Sequence, residues 1–280
     1  MIDATDENKA DSPTSALADE NRYLYCIVGL DEDESNDADV EVKGIDDQPV
    51  YSIVVDDVAV VVHRCDSLYD SDDFDAVSRW LLAHQRVIDA AGERYGTPLP
   101  FQFDTILTGD DAMVRDWLSG HLDEIRDALH SFADTWEYRI HLSWDEETLT
   151  ELVREEDPEL RASSAEETDQ TAGTTYLKEK QYEHQLRDAR RRRQERVATE
   201  LHDLVSAHAR EVEPASRPAI QGTTDQSPTP FTGISILVHD DQIDHIGNQL
   251  DTLAEYPGLE VMFTGPWPPY TFAPAIGEET

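Results

Sequence analysis

One segment of this 280-residue chain, from 136 to 144, constrains the fold more than any other. Its apolar side chains are Trp136, Tyr138, Ile140, Leu142 and Trp144, and they alternate strictly with Glu137, Arg139, His141 and Ser143. This period of two predicts a β-strand with one apolar and one polar face. Because the apolar face must be covered by helices, the sequence predicts an α+β sandwich of two layers.

Further strands and helices are predicted from the same kinds of pattern. Strands are expected at 23–28, 51–55, 58–63, 233–238 and 259–263, with a short one beginning at 99. The second and third of these form a hairpin turned at Asp56 and Asp57. Amphipathic helices are expected at 74–94, 110–132 and 242–254. His84 lies on the apolar face of the first helix, where a satisfied core histidine is the expected role.

A long helix is predicted over residues 174–210, since this segment contains neither proline nor glycine. Only its second half is amphipathic, through Val197, Leu201, Leu204 and Val205. The preceding residues 158–173 have the composition of a loose connection. The Pro, Ser, Thr and Gly content of 213–231 is typical of a flexible linker.

These elements predict two two-layer α/β units joined by the long connecting helix. The expected divisions are a disordered acidic tail (1–21), an N-terminal α+β domain (22–134), a C-terminal α+β domain (135–273) and a short tail (274–280). The C-terminal domain includes the helix over 174–210 and the linker over 213–231. The start of the chain has no apolar run of the kind found in signal peptides or membrane spans, so a cytoplasmic location is expected.

The charge balance is extreme, because 22 Lys and Arg face 61 Asp and Glu, for a formal charge of −39. Such a surface repels nucleic acid and anionic lipid, so neither is an expected partner. At about molar salt the Debye length falls to roughly 3 Å and the carboxylates no longer repel one another over long distances. We therefore infer a halophilic cytoplasm.

Motifs for catalysis are nearly absent. The sequence has no phosphate-binding glycine loop, no G-x-S-x-G elbow and no H-E-x-x-H, and it predicts no cofactor. The best metal-like cluster lies near residues 239–245 and contains His239, Asp241 and His245. A metal-dependent enzyme is therefore the alternative hypothesis, although helix-capping carboxylates explain the same cluster more simply.

One segment opposes the global charge. Between residues 176 and 196 there are eight bases and four acids, which gives +4 in a chain of −39. Its centre is the run Arg190, Arg191, Arg192 and Arg193. Two interpretations stay open: the arginines pair with acidic groups of the same protein, or they form a docking strip for an acidic partner through bidentate carboxylate contacts.

The end of the chain contains a proline-aromatic segment, Gly265–Phe272. Its prolines favour an extended backbone, and Trp267, Tyr270 and Phe272 supply large apolar area. The segment either packs over the protein's own sheet or forms a surface for a partner. Packing over the sheet is favoured, because a predicted strand leads directly into the segment.

Three segments resemble a known family. Residues 258–272, GLEVMFTGPWPPYTF, resemble the C-terminal signature of the gas vesicle protein F/L family, and residues 23–29, YLYCIVG, resemble its opening strand. Residues 99–105 are similar to the family's Leu-Pro-x-Arg-Phe-Gly-Thr segment, with Gln102 and Asp104 in place of the commoner Arg and Gly. The resemblance extends from Tyr23 to Phe272, and the Gly-Pro-Trp-Pro-Pro-Tyr element is its most specific part.

The resemblance implies a non-enzymatic accessory protein of gas vesicle assembly with ferredoxin-like elements. Members of the family contact the small shell protein or other accessory gas vesicle proteins, so these are the expected partners. The length, linker and acidic surface resemble the haloarchaeal L members more than the shorter F members. The implied location is the cytoplasm, with the protein as a minor component on the vesicle, and no catalytic residues carry over.

Overall fold

The computed structural model describes residues 21–31, 40–165, 172–215 and 230–277. These residues form two compact units of mixed α/β class with antiparallel sheets. One unit comprises the described residues of Met1–Ala133 and Ala273–Thr280, and the other those of Asp134–Phe272. The domain boundaries expected from the sequence stay a prediction about independent folding. In the described part of the chain, no helix has the length and apolar character needed to cross a membrane.

The sheet of the first unit has the strand order β2-β3-β1-β4. Its strands are β1 (Asn21–Gly29), β2 (Tyr51–Val55), β3 (Val58–Cys65) and β4 (Leu99–Pro100), and a short β5 (Ile106–Leu107) pairs with the beginning of β1. The predicted hairpin is confirmed, because Val55 lies opposite Val58 and Asp56 and Asp57 form the turn. Asp56 has φ 54°, a value that Asp tolerates better than most residues.

Helices cover both faces of this sheet. They are α1 (Phe74–Tyr95), α2 (Asp111–Gly120) and α3 (Leu122–Phe132). His84 of α1 contacts Tyr23, whereas Asp111 of α2 binds the adjacent residue Arg22. Because neighbouring residues of a strand point to opposite faces, α1 and α2 lie on opposite sides. The first unit is thus a three-layer arrangement, and the expectation of two layers is wrong there.

The predicted helix over 110–132 is divided in two. Its first part ends at Gly120, and His121 leaves helical geometry with φ −118° and ψ 13° before α3 begins. Val114, Leu118 and Ile125 are buried as the apolar pattern predicts. The pattern therefore located the buried face correctly but not the break.

The second unit has the sheet order β7-β8-β6-β9, with every pair antiparallel. The strands are β6 (Thr135–Trp144), β7 (Glu211–Pro214), β8 (Thr232–His239) and β9 (Leu259–Trp267), and the helices are α4 (Glu146–Glu156), α5 (Pro158–Ala165), α6 (Ala172–Ser206) and α7 (Ile243–Ala254). Tyr138, Ile140, Leu142 and Trp144 of β6 share one apolar core with Val197, Leu201 and Val205 of α6. The alternation in β6 and the amphipathic second half of α6 are both confirmed.

The connections around α6 differ from expectation. The predicted linker over 213–231 begins inside strand β7, where Val212 pairs with Ile236 and Pro214 with Ile234. The long helix consequently ends at Ser206, because the chain must turn before joining the sheet. Much of the expected loose connection is helix α5. The rest of the linker, 216–229, and the acidic tail up to residue 20 lie outside the described residues.

Candidate protein-docking surfaces

Two of the four predicted docking arginines, Arg190 and Arg193, are partly covered by neighbouring residues of the second unit. Arg193 donates to a carboxylate oxygen of Glu156 over 2.9 Å, and its guanidinium lies 5.6 Å from the ring centres of both Trp144 and Tyr256. Arg190 donates from Nη2 to the backbone oxygen of Glu146 at 3.1 Å. These contacts support the interpretation that Arg190 and Arg193 attach α6 to its neighbours.

The other two predicted arginines point outward. Arg192 lies 3.7 Å from Asp157, and Arg191 lies 3.5 Å from Asp188. Their side chains are 58% and 66% exposed, respectively. Exposed ion pairs at such distances contribute little stability, especially in salt. Arg191 and Arg192 therefore remain accessible to a partner in a way that Arg193 is not.

The proline-aromatic segment continues directly from β9. Trp267 lies opposite Glu137 of β6, and the next two residues, Pro268 and Pro269, are buried. Trp267, Tyr270 and Phe272 are each half-buried. The three aromatic residues named from the sequence thus follow one another along a segment that is partly covered and partly open.

Glu137 holds this segment in place, a role that the sequence pattern does not predict. Its fully buried carboxylate accepts hydrogen bonds from the backbone N–H and the hydroxyl of Thr271, at 2.7 and 2.9 Å. Arg139 donates from Nε at 2.9 Å and neutralises the charge, and the Ser235 hydroxyl lies at 3.4 Å. One feature of the sequence could have indicated this role: Glu137 lies on the predicted polar face of β6, and Arg139, two residues later, lies on the same face.

The metal-like cluster is only partly brought together. His239 lies 3.1 Å from a carboxylate oxygen of Asp241 through Nδ1, whereas the ring of His245 stacks on His208 with centres 5.5 Å apart. Over the described ranges, no three His, Cys, Asp or Glu side chains are arranged to hold a metal. The residues of the alternative enzyme hypothesis therefore do not converge.

A second polar cluster lies in the first unit and was also missed. Tyr23 contacts Nδ1 of His84 at 2.9 Å, and Tyr25 contacts Nδ1 of His63 at 2.8 Å. Tyr69 closes the cluster at 2.9 Å from Nε2 of His63. Burial lowers the pKa of both histidines to about 4 and raises the pKa of Tyr25. The expected satisfied role of His84 is confirmed, and the cluster is a buried hydrogen-bonded network of neutral rings.

Known proteins resemble nearly the whole chain. A family model described as gas vesicle synthesis protein GvpL/GvpF matches residues 21–274. Gas vesicle protein L1 of Halobacterium salinarum is 39% identical over 259 residues, covering 92% of each chain. Gas vesicle protein L2 of the same organism is 41% identical over 271 residues, covering 95% of this chain and 96% of the relative.

A solved structure has a similar fold. The crystal structure of gas vesicle protein GvpF from Anabaena superimposes with a TM-score of 0.67, covering 91% of this chain and 98% of that one. At 18% identity this similarity concerns the fold alone. The family match and the two relatives agree in extent, and this chain belongs to the gas vesicle synthesis protein GvpL/GvpF family.

Proposed function

We propose that this protein is a non-enzymatic accessory protein of gas vesicle assembly, working as an adaptor that binds the shell protein or other accessory gas vesicle proteins. The observation that carries the proposal is the extent of the family match, residues 21–274, which includes both units. Because the match is not limited to one short motif, we expect both units to contribute to the function of the family. The proposed location is the cytoplasm of a halophile, in line with the charge of −39 and the Halobacterium relatives.

The second unit is proposed to be a ferredoxin-like scaffold. Its elements follow the order strand, helices, strand, strand, helix, strand, and its sheet has the order β7-β8-β6-β9. Among the described residues between β1 and β2, the first unit has a three-residue 3-10 helix, Ile45–Asp47, and no α-helix, so the proposal is limited to the second unit. A rigid sheet with helices on one face would present α6 to a partner in a fixed orientation.

The proposed contact residues are the outward arginines of α6 and the aromatic side chains after β9. Arg191 and Arg192 are more than half exposed, and Trp267, Tyr270 and Phe272 are only half-buried. Arginine and aromatic residues are enriched in protein interfaces, because both combine apolar area with directional hydrogen bonds. Arg190 and Arg193 belong to the proposed surface mainly as its support.

The test is an affinity pull-down in about 2 M KCl, where nonspecific attraction between charges is screened. The tagged chain is co-expressed with the shell protein and the accessory gas vesicle proteins, and an equally acidic tagged protein is the control. We expect at least one gas vesicle protein to be enriched over the control. If none is enriched, the adaptor function is refuted.

A further inference from the structure

The surface beside α6 contains a cavity of about 430 Å³ that faces α4. It is lined by Trp144, Glu146, Leu149, Arg187, Arg190, Arg191 and Gln194. We name this cavity the arginine groove. Arg187, Arg190/Arg191 and Gln194 are spaced by three or four residues, so they follow one face of the helix. The groove is therefore built by a regular helix face and by the start of α4.

The charge of the arginine groove is opposite to that of the protein. Three guanidinium groups line it and Glu146 supplies its one carboxylate, so the lining carries +2 in a chain of −39. Arg187 has no hydrogen-bond or ion-pair partner in the part of the chain that the structure describes. The Nε of Arg190 is buried and, within the same residues, lacks an acceptor. The groove thus offers several unused donors for an anion.

A neighbouring cavity shows that this excess is specific to one face. On the other side of α6, a cavity of about 540 Å³ is lined by apolar side chains and by Glu156, Asp157, Glu159, Arg192, Arg193 and Arg196. Its three arginines face three carboxylates, so the lining is neutral. Arg192 and Arg193 moreover lie near Asp157 and Glu156. Of these two cavities, the arginine groove is the one with a net positive lining. Arg191 also lies 3.5 Å from Asp188 and 3.8 Å from Glu195, so the guanidinium of the groove that has neither an ion-pair nor a hydrogen-bond partner among the described residues is that of Arg187.

We propose that the arginine groove is the docking site for an acidic peptide segment of a partner protein, with Arg187 and Arg191 binding its carboxylates. This inference rests on the proposed adaptor function and names the chemistry of the partner. Guanidinium groups bind carboxylates through two parallel hydrogen bonds, and such close contacts persist when salt removes long-range attraction. Trp144 and Leu149 at the base of the groove would meet an apolar side chain next to the acids.

The surroundings favour a peptide over a nucleic acid. A polynucleotide has a charge on every residue and would extend from the groove across the surface of a chain that contains 61 acidic residues. A peptide can confine its carboxylates to the groove and continue with neutral residues on either side. The site therefore selects a short acidic segment with an apolar residue rather than a uniform polyanion.

The test measures fluorescence anisotropy of a labelled peptide of repeated Glu-Glu-Leu in about 2 M KCl. The full chain is compared with R187Q/R191Q, which alters the arginine groove, and with K178Q/R196Q, which removes the same charge from exposed positions of α6 outside the groove. We expect the first double variant to weaken binding about tenfold or more and the second to change it by less than about twofold. A Gln-Gln-Leu peptide is expected not to bind.

Several results would overturn the docking site: no binding of the acidic peptide to the unaltered chain, equal losses in the two double variants, or equal binding of a labelled single-stranded oligonucleotide. Circular dichroism of both variants verifies that they are folded. Repeating the pull-down with both variants separates this proposal from the adaptor function. If the unaltered chain and R187Q/R191Q enrich a partner equally, the groove is refuted and the adaptor function stands.

Discussion

Thr271 donates its backbone N–H to Oε2 of Glu137 over 2.7 Å, joining positions 134 residues apart in the sequence. The Thr271 hydroxyl adds a second bond to Oε1 of the same buried carboxylate. Because Glu137 lies in β6, which pairs with both β8 and β9, the end of the proline-aromatic segment is attached to an interior strand of its sheet. The position of Tyr270 and Phe272 therefore depends on a carboxylate that is far from both residues in the sequence.

We expect Glu137→Gln to destabilise the protein by about 1–3 kcal/mol, the usual effect of leaving buried hydrogen-bonding groups unmatched. The new amide places N–H groups where Thr271 and Arg139 donate. Chemical denaturation at constant molar salt measures the free energy of unfolding, and hydrogen exchange at the Thr271 amide should accelerate. The matched control is Glu260→Gln, which alters an exposed acid of β9. Equal effects of the two substitutions would contradict the role of Glu137.

Gly265 is a second requirement of the same segment. It has φ +136°, and a Cβ at this position would lie 2.6 Å from Cδ1 of Tyr138 and 2.9 Å from the backbone oxygen of Glu137. We expect Gly265→Ala to destabilise the fold by about 1–3 kcal/mol through backbone strain and this clash. Gly247→Ala is the control, since a Cβ on this residue of α7 meets nothing within 4 Å. That substitution should stabilise by up to about 1 kcal/mol, and thermal unfolding distinguishes the two.

Local patterns predicted much of the fold, because apolar residues recur at regular spacings on the buried faces of strands and helices. The alternation from Trp136 to Trp144 identified β6, and the spacing of Val197, Leu201 and Val205 identified the buried half of α6. The layers of the first unit could not be predicted in the same way. Only tertiary structure decides that Tyr23 faces one helix and Arg22 another. Strand β7 escaped prediction because Glu213 and Pro214 have low intrinsic strand preference.

The candidate surfaces were harder to predict, because a sequence gives charges but not their partners. Four consecutive arginines look equivalent, yet the 100° rotation per helical residue turns Arg193 toward Trp144 and leaves Arg191 in solvent. Glu137 was assigned to a polar face, which usually means an exposed face. The proline-aromatic segment instead covers it, and that contact joins residues 134 positions apart. A contact between residues so far apart in the sequence produces no regular spacing from which it could be predicted.

The difference between the arginines of α6 gives a direct prediction. Arg193 is 17% exposed, binds Glu156 and lies over Trp144 and Tyr256, so Arg193→Gln should destabilise by about 1–3 kcal/mol. Arg187→Gln removes the same charge from an exposed side chain and should change stability by less than about 0.5 kcal/mol. Both values come from denaturation at one fixed KCl concentration. Similar losses in the two variants would mean that α6 does not depend on Arg193 for its packing.

The buried histidines predict how stability depends on pH. Burial lowers the pKa of His63 and His84 from 6.5 to about 4, so both rings are neutral in the fold at neutral pH. Below pH 6.5 the unfolded chain takes up protons that the folded chain does not, so their contribution is complete above pH 6.5 and declines toward pH 4. We expect a loss of about 2 kcal/mol per histidine at pH 5. Compared with the unaltered chain, His84→Gln should show a smaller slope between pH 7.5 and 5, because the share of His84 is removed. Denaturation curves across that range measure both slopes, and identical slopes would exclude the buried network as the source.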